Sequence, residues 1–356
     1  MAVAGVIVLV AGIAFASDLA LTSGPQKASG VPARPAGDSG SGVGGSVAKG
    51  AASTSHGASA SGKSGVAETA LDPSMFAKGA CMAFTPQGAT NGETVFLDAG
   101  HGGIDPGGTG ETENGSEVYE SRVNLPIEMD AMRLLTSEGY RVVVSRTEQT
   151  TVLKLGPGDT DGNLLTVAGA HADIAARDIC ANKGHASLLV GIYMNSGGYG
   201  EAGSVTIYDA ARSFSAENLR FANLLQSDVL GKLNAQGYQI PDGGVQNDSQ
   251  MGSTLSAAGA AYGHLILLGP ADAGYFTTPS QMPGALIEPL FLTDPFEASI
   301  AVSSKGQHLI AAGIAEAAGQ YFAQLADAGT TAASSAQAQP ESFRDEHVIR
   351  DHFTNG

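Results

Sequence analysis

Along residues 91–325, short runs of apolar, strand-type residues alternate with stretches of helical periodicity. This alternation confines the chain to an α/β architecture, in which strand–helix–strand units build a mainly parallel sheet covered by helices on both faces. "TVFLDAG" (94–100) reads as the first strand. Residues 118–138 read as a helix, with Val118, Leu125, Met129, Met132 and Leu135 near helical spacing and Gly139 as the stop. "YRVVVSR" (140–146) is the next strand. After a Gly/Asp-rich loop (155–163), "LTVAGAHADIAARDICANKG" reads as a helix, and "ASLLVGIYMNS" and "GSVTIYD" as strands. Residues 215–236 form an amphipathic helix. A polar, glycine-rich passage (237–262) precedes "GHLILLG", "GALIEPLFL" follows as a buried strand, and 305–325 closes the domain as a helix. The expected fold is a three-layer α/β/α domain with a mostly parallel sheet, flanked by disordered N- and C-terminal segments.

The flanks differ in composition. Residues 2–16, "AVAGVIVLVAGIAFA", have the length of a signal-peptide apolar region and are short for a bilayer span. Ala14-Phe15-Ala16 offers a cleavage site, but no basic segment precedes the run. Residues 1–16 are therefore read as a signal peptide or a membrane anchor, with both alternatives open. Residues 17–79 are rich in Gly, Ser and Ala and carry too little apolar area to offset ordering entropy. A coil of that kind, about 60 residues long, reaches roughly 45 Å. The folded domain is expected over 80–328, with a flexible tail over 329–356.

Charge and cysteine usage narrow the possibilities. The formal net charge of −17 comes from the folded part and tail, because residues 1–91 are nearly balanced. Phosphate binding needs clustered Lys/Arg, so nucleic acid is excluded as a partner. Membrane contact is expected only through the N-terminal segment if it is uncleaved, and the expected state is a monomer. The two cysteines, Cys81 and Cys180, lack metal-site spacing; a single disulfide and two unpaired thiols are both open. Any metal here needs histidine and carboxylate ligands.

Ligands of an α/β sheet gather beyond the carboxyl ends of its strands. His101 lies just past the first strand, in "LDAGHGGIDPGG". Glycines beside a histidine also suit a turn needing positive φ with an idle imidazole, and the spacing matches no phosphate loop. Glu120 opens the following helix, where favourable interaction with the helix dipole would account for it. Glu288 sits inside an apolar strand, where an unpaired carboxylate is costly, so a functional or paired role is expected unless Pro289 ends the strand there.

"LDAGHGGIDPGG", "ESRVNL" and "ALIEPLFL", in that order and spacing, resemble the zinc-dependent N-acetylmuramoyl-L-alanine amidases that cut peptidoglycan, over about residues 92–325. The resemblance implies Zn2+ as cofactor, His101 and Glu120 as zinc ligands, and Glu288 as the general base. It also implies peptidoglycan (muropeptide) as substrate and an exported chain, in the cell wall or membrane-anchored. The family's third ligand is a histidine in Ile-His-x-Asn; here "IYMN" puts Tyr193 at that position, between Ile192 and Asn195. Three readings follow: Tyr193 ligates as phenolate, His264 or His185 reaches in, or the metal site is weakened and the fold binds peptidoglycan without cleaving it. Arg177 and Asn195 also match family positions; Arg177 is expected as a helix-surface ion-pair residue and Asn195 as shaping the strand-end loop. Residues 196–262 are expected to line the substrate groove, with 241–254 as a gate.

Overall fold

Strands that carry apolar residues on both faces end up between two helical layers. In the computed structural model, which describes residues 68–198, 200–251 and 257–331, eight strands form one sheet. In chain order the strands are β1 (Glu68–Ala70), β2 (Ala80–Phe84), β3 (Thr94–Ala99), β4 (Thr109–Glu111), β5 (Glu117–Tyr119), β6 (Arg141–Arg146), β7 (Thr160–Asp161), β8 (Leu164–Leu165), β9 (Leu188–Ile192), β10 (Ser204–Tyr208), β11 (Asp242–Asn247) and β12 (Gly284–Glu288). The helices are α1 (Glu120–Ser137), α2 (Val167–Lys183), α3 (Ser215–Asn234), α4 (Ala257–Ala260), α5 (Pro295–Val302) and α6 (Ser304–Thr331).

The sheet order is β1-β2-β6-β3-β9-β12-β10-β11, while β4–β5 and β7–β8 are separate hairpins. The central strands β6, β3, β9 and β12 run parallel, as do β10 and β11. The β1–β2, β2–β6 and β10–β12 pairs are antiparallel. The sheet is therefore mostly parallel, as the alternating pattern predicts, with antiparallel additions on both sides of the parallel centre.

Side chains alternate across the sheet. Val95, Leu97, Val144, Val190 and Ile287 pack on one face against α1 (Ile127, Leu135), α3 (Phe221, Leu225) and α6 (Ile310, Ile314). Phe96, Val143, Leu189 and Leu286 pack on the other against α2 (Ala172, Ala176, Ile179). The three layers match the expectation, and no helix among the described residues is long and apolar enough to cross a membrane.

Three boundaries differ from the sequence reading. β1 lies inside the segment assigned to the linker, and its Thr69 pairs with Ala83 of β2. Part of the 241–254 passage expected as a gate is a strand: Asp242–Asn247 is held in the parallel ladder with β10 at the sheet edge. α6 extends to Thr331, into the segment expected as tail. The expected signal or anchor, most of the linker and the rest of the tail lie outside the described residues.

Cys81 and Cys180 form a disulfide across a sequence separation of 99, tying β2 to α2. A crosslink closing a loop of that size constrains the unfolded chain by about 5 kcal/mol. The double variant Cys81→Ser/Cys180→Ser is expected to lose stability of that order in urea unfolding.

Candidate functional site

The ends of β3, β9 and β12 are level: Ala99 pairs with Ile192, and Ile192 with Ile287. His101 and Tyr193, just past their strands, and Glu288, the last residue of β12, therefore share one rim of the sheet. Close backbone approach explains the glycines of the first loop. A Cβ on Gly100 would lie 2.3 Å from the Tyr193 ring, and one on Gly107 would lie 2.6 Å from the His101 ring and 2.7 Å from Glu120 Oε2.

His101 itself adopts φ 61°, a left-handed conformation uncommon outside glycine and frequent at functional sites. Arg177 helps to hold it there by donating to the His101 carbonyl (2.9 Å). On the ring, Nδ1 is 2.8 Å from Asp105 Oδ2, which turns Nε2 toward Glu120 Oε2 at 3.2 Å. Burial disfavours the imidazolium, but Asp105 and Glu120 outweigh it and hold the His101 pKa well above 6.5.

Glu120 begins α1, whose first amides are capped by the preceding loop: Glu120 N donates to Gly108 O and Ser121 N to Pro106 O. The Glu120 carboxylate is nearly fully buried and accepts from Gly108 N (2.7 Å) and Met194 N (2.9 Å). Burial opposes its charge, yet His101 and these amides keep its pKa below 4.5. Its role thus goes beyond a favourable helix-end charge, because it is fixed as an anion against the imidazole.

Glu288 is 1% exposed, and neither of its carboxylate oxygens has a hydrogen-bond partner among the described residues. Burial and the charge of Glu120 raise its pKa well above 4.5, against a smaller opposing effect from His101. Asn195 is also fully buried with its side-chain amide unpartnered among the described residues, while its backbone joins Phe291 in a parallel bridge. The rim thus holds buried polar groups whose hydrogen-bonding capacity is unused, a costly arrangement in a purely structural role.

Tyr193 behaves differently from the expected third ligand. Its hydroxyl donates to Asp98 Oδ2 (3.0 Å), and burial, with the Asp98 charge, raises its pKa well above 10. The phenolate that ligation requires is therefore disfavoured. Its ring packs edge-on to His101, with centroids 5.5 Å apart. His185 is exposed at the opposite, entry end of β9. His264 pairs with Asp209 and Asp248, beyond the far ends of β10 and β11, so neither histidine completes the set.

Arg177 corrects another expectation. It is 1% exposed rather than on a helix surface, and it donates to Asp98 Oδ1 (2.6 Å), Asp173 Oδ2 (2.9 Å) and the Ala99 carbonyl (2.9 Å). Arg146, also buried, donates to the carbonyls of Ala99 and Ser121. Two buried guanidinium groups thus fix the backbone on either side of His101, a role the sequence reading missed. The signal available for it was the Asp173–Arg177 spacing of four residues, which places both on one helix face.

The donor chemistry fits a divalent cation in part. His101 is oriented through Nδ1 by a carboxylate, as metal-bound histidines usually are, and its Nε2 adjoins an anionic Glu120 oxygen. The third position of the expected set is held by a tyrosine committed to Asp98.

The sequence profile of N-acetylmuramoyl-L-alanine amidases matches residues 95–320, which spans the whole rim and most of the folded chain. The chain belongs to this family. Curated relatives include the germination-specific N-acetylmuramoyl-L-alanine amidase of Bacillus subtilis (strain 168), 26% identical over 241 residues, or 67% of this chain and 83% of that protein. The uncharacterized protein YqiI of the same organism is 31% identical over 171 residues, 47% of this chain and 70% of that one. Among solved structures, an N-acetylmuramoyl-L-alanine amidase from Clostridium difficile 630 aligns with a TM-score of 0.45 and 26% identity, covering 66% of this chain and 98% of that chain. Family membership makes the chain an N-acetylmuramoyl-L-alanine amidase, an amide hydrolase acting on the cell wall.

Proposed function

We propose that this amidase cleaves the bond between the lactyl carbonyl of N-acetylmuramic acid and the L-alanine of the stem peptide at the rim formed by His101, Glu120 and Glu288. The observation that carries this reading is Glu288, a buried carboxyl with two unused oxygens on the same strand-end rim as an oriented histidine–glutamate pair.

His101 Nε2 and Glu120 Oε2 would hold zinc, which supplies Lewis acidity toward a carbonyl and makes water acidic near neutral pH. The chain's own groups account for the proton transfers. Glu288 takes one proton from the attacking water as the oxygen–carbon bond forms. It delivers that proton to the L-alanine nitrogen as the carbon–nitrogen bond breaks. A cation beside the rim offsets the burial that keeps Glu288 protonated, so the carboxylate form becomes available. Asp105 holds the His101 ring, and Arg177 and Arg146 hold the loop that carries it.

The Cys81–Cys180 disulfide fits an oxidising, extracytoplasmic compartment, which agrees with export to the cell wall. A second reading, a peptidoglycan-binding module with little catalysis, is favoured by one observation: the Tyr193 hydroxyl is bonded to Asp98.

The Tyr193→His variant tests the assignment. Restoring a nitrogen at this position is expected to tighten zinc binding by about tenfold or more and to raise muropeptide hydrolysis with it. Calorimetric zinc titration alongside a cleavage assay reads both; unchanged affinity in a folded variant would remove His101 and Glu120 from the ligand set.

A further inference from the structure

We propose a second cation site, separate from the amidase rim, formed by Asp209, Asp248 and His264. Asp209 follows β10, which runs antiparallel to β12 with Val205 opposite Glu288. Four residues of strand therefore set Asp209 about 13 Å along the sheet from the level of Glu288. The cluster lies beyond the opposite edge of the sheet from His101.

One ligand atom from each of the three side chains lies within 4.8 Å of the others, the one histidine–carboxylate trio of this kind among the described residues. Both aspartates are fully buried, and His264 is 20% exposed. Their outer oxygens are fixed by backbone amides: Asp209 Oδ1 accepts from Ala211 N and Arg212 N, and Asp248 Oδ2 from Leu265 N. The inner oxygens, Asp209 Oδ2 and Asp248 Oδ1, both face His264 Nδ1, at 2.8 Å and 3.3 Å.

A single ring nitrogen carries at most one proton. That hydrogen bond goes to Asp248, leaving Asp209 Oδ2 buried, close to a nitrogen and without a hydrogen bond. Two buried aspartates turn their inner oxygens toward one imidazole nitrogen, a donor set that a divalent cation would satisfy. Imidazole nitrogen with carboxylate oxygen selects a first-row ion such as Zn2+ or Mn2+ over Mg2+ or Ca2+. The three residues come from the end of β10, the turn after β11 and the loop at 263–265, so the ion would clip together segments distant in sequence. The role is structural, since the donors are locked by backbone and only the histidine edge meets solvent.

Zinc titration of the full chain tests this, using calorimetry and thermal unfolding. The His101→Ala chain is expected to retain one zinc per chain with a zinc-dependent rise in melting temperature. His264→Gln, a partly exposed position, is expected to weaken that binding by about 100-fold or more. Wild-type crystals soaked in zinc are expected to show an anomalous peak between Asp209 Oδ2, Asp248 Oδ1 and His264 Nδ1. Absence of that peak, or retention of the second zinc in His264→Gln, would overturn the proposal. The amidase reading stands or falls separately, on hydrolysis.

Discussion

Glu288→Gln is expected to lower kcat on a zinc-loaded muropeptide assay by about 10²- to 10⁴-fold, the range lost with a positioned acid–base group. The glutamine keeps the shape of a side chain that makes no hydrogen bonds among the described residues, so folding should survive and the loss should fall on kcat. The pH profile carries the sign. Burial and Glu120 raise the Glu288 pKa, so activity in the wild type should rise with pH as the carboxyl ionises and should fall in acid. That ascending limb should vanish from the residual activity of the glutamine variant. A variant retaining wild-type kcat would remove Glu288 from the chemistry and favour the binding-module reading.

Arg177→Met is expected to lower stability by about 3–5 kcal/mol, because it strands Asp98 and Asp173 as buried charges without their partner. Urea unfolding reads this as a lower midpoint at unchanged slope. Arg177→Lys should recover only part of the loss. One ammonium cannot reproduce the guanidinium fork that reaches Asp98, Asp173 and the carbonyls of Ala99 and His101 together. If Arg177→Met unfolds like the wild type, the loop carrying His101 is held by other means.

Local periodicity made the parallel centre of this fold legible. β3, β6, β9 and β12 are short runs of apolar residues, and buried strands need nothing beyond that. β1 and β11 were not legible in this way. Glu68–Ala70 is exposed and paired with β2, and Asp242–Asn247 is a polar, glycine-containing segment held by β10. Neither signal is local.

The site divides along the same line. His101, Glu120 and Glu288 stood out because each is chemically conspicuous in its segment. The state of Tyr193 depends on Asp98, 95 residues away, and on burial that only the assembled sheet supplies. Arg177 looked like a surface residue because α2 buries polar side chains along with its alanines, which weakens its amphipathic pattern. Asp209, Asp248 and His264 come from three separate segments and form no sequence motif.

Amide cleavage by this chain is tested most directly by incubating the zinc-loaded full chain with a muropeptide in which N-acetylmuramic acid is joined to L-alanine and identifying the products by mass spectrometry. The expected products are a free stem peptide beginning with L-alanine and a sugar ending in a free lactyl carboxylate, with one water added across the broken bond. Muropeptide that remains intact at saturating zinc would contradict this activity.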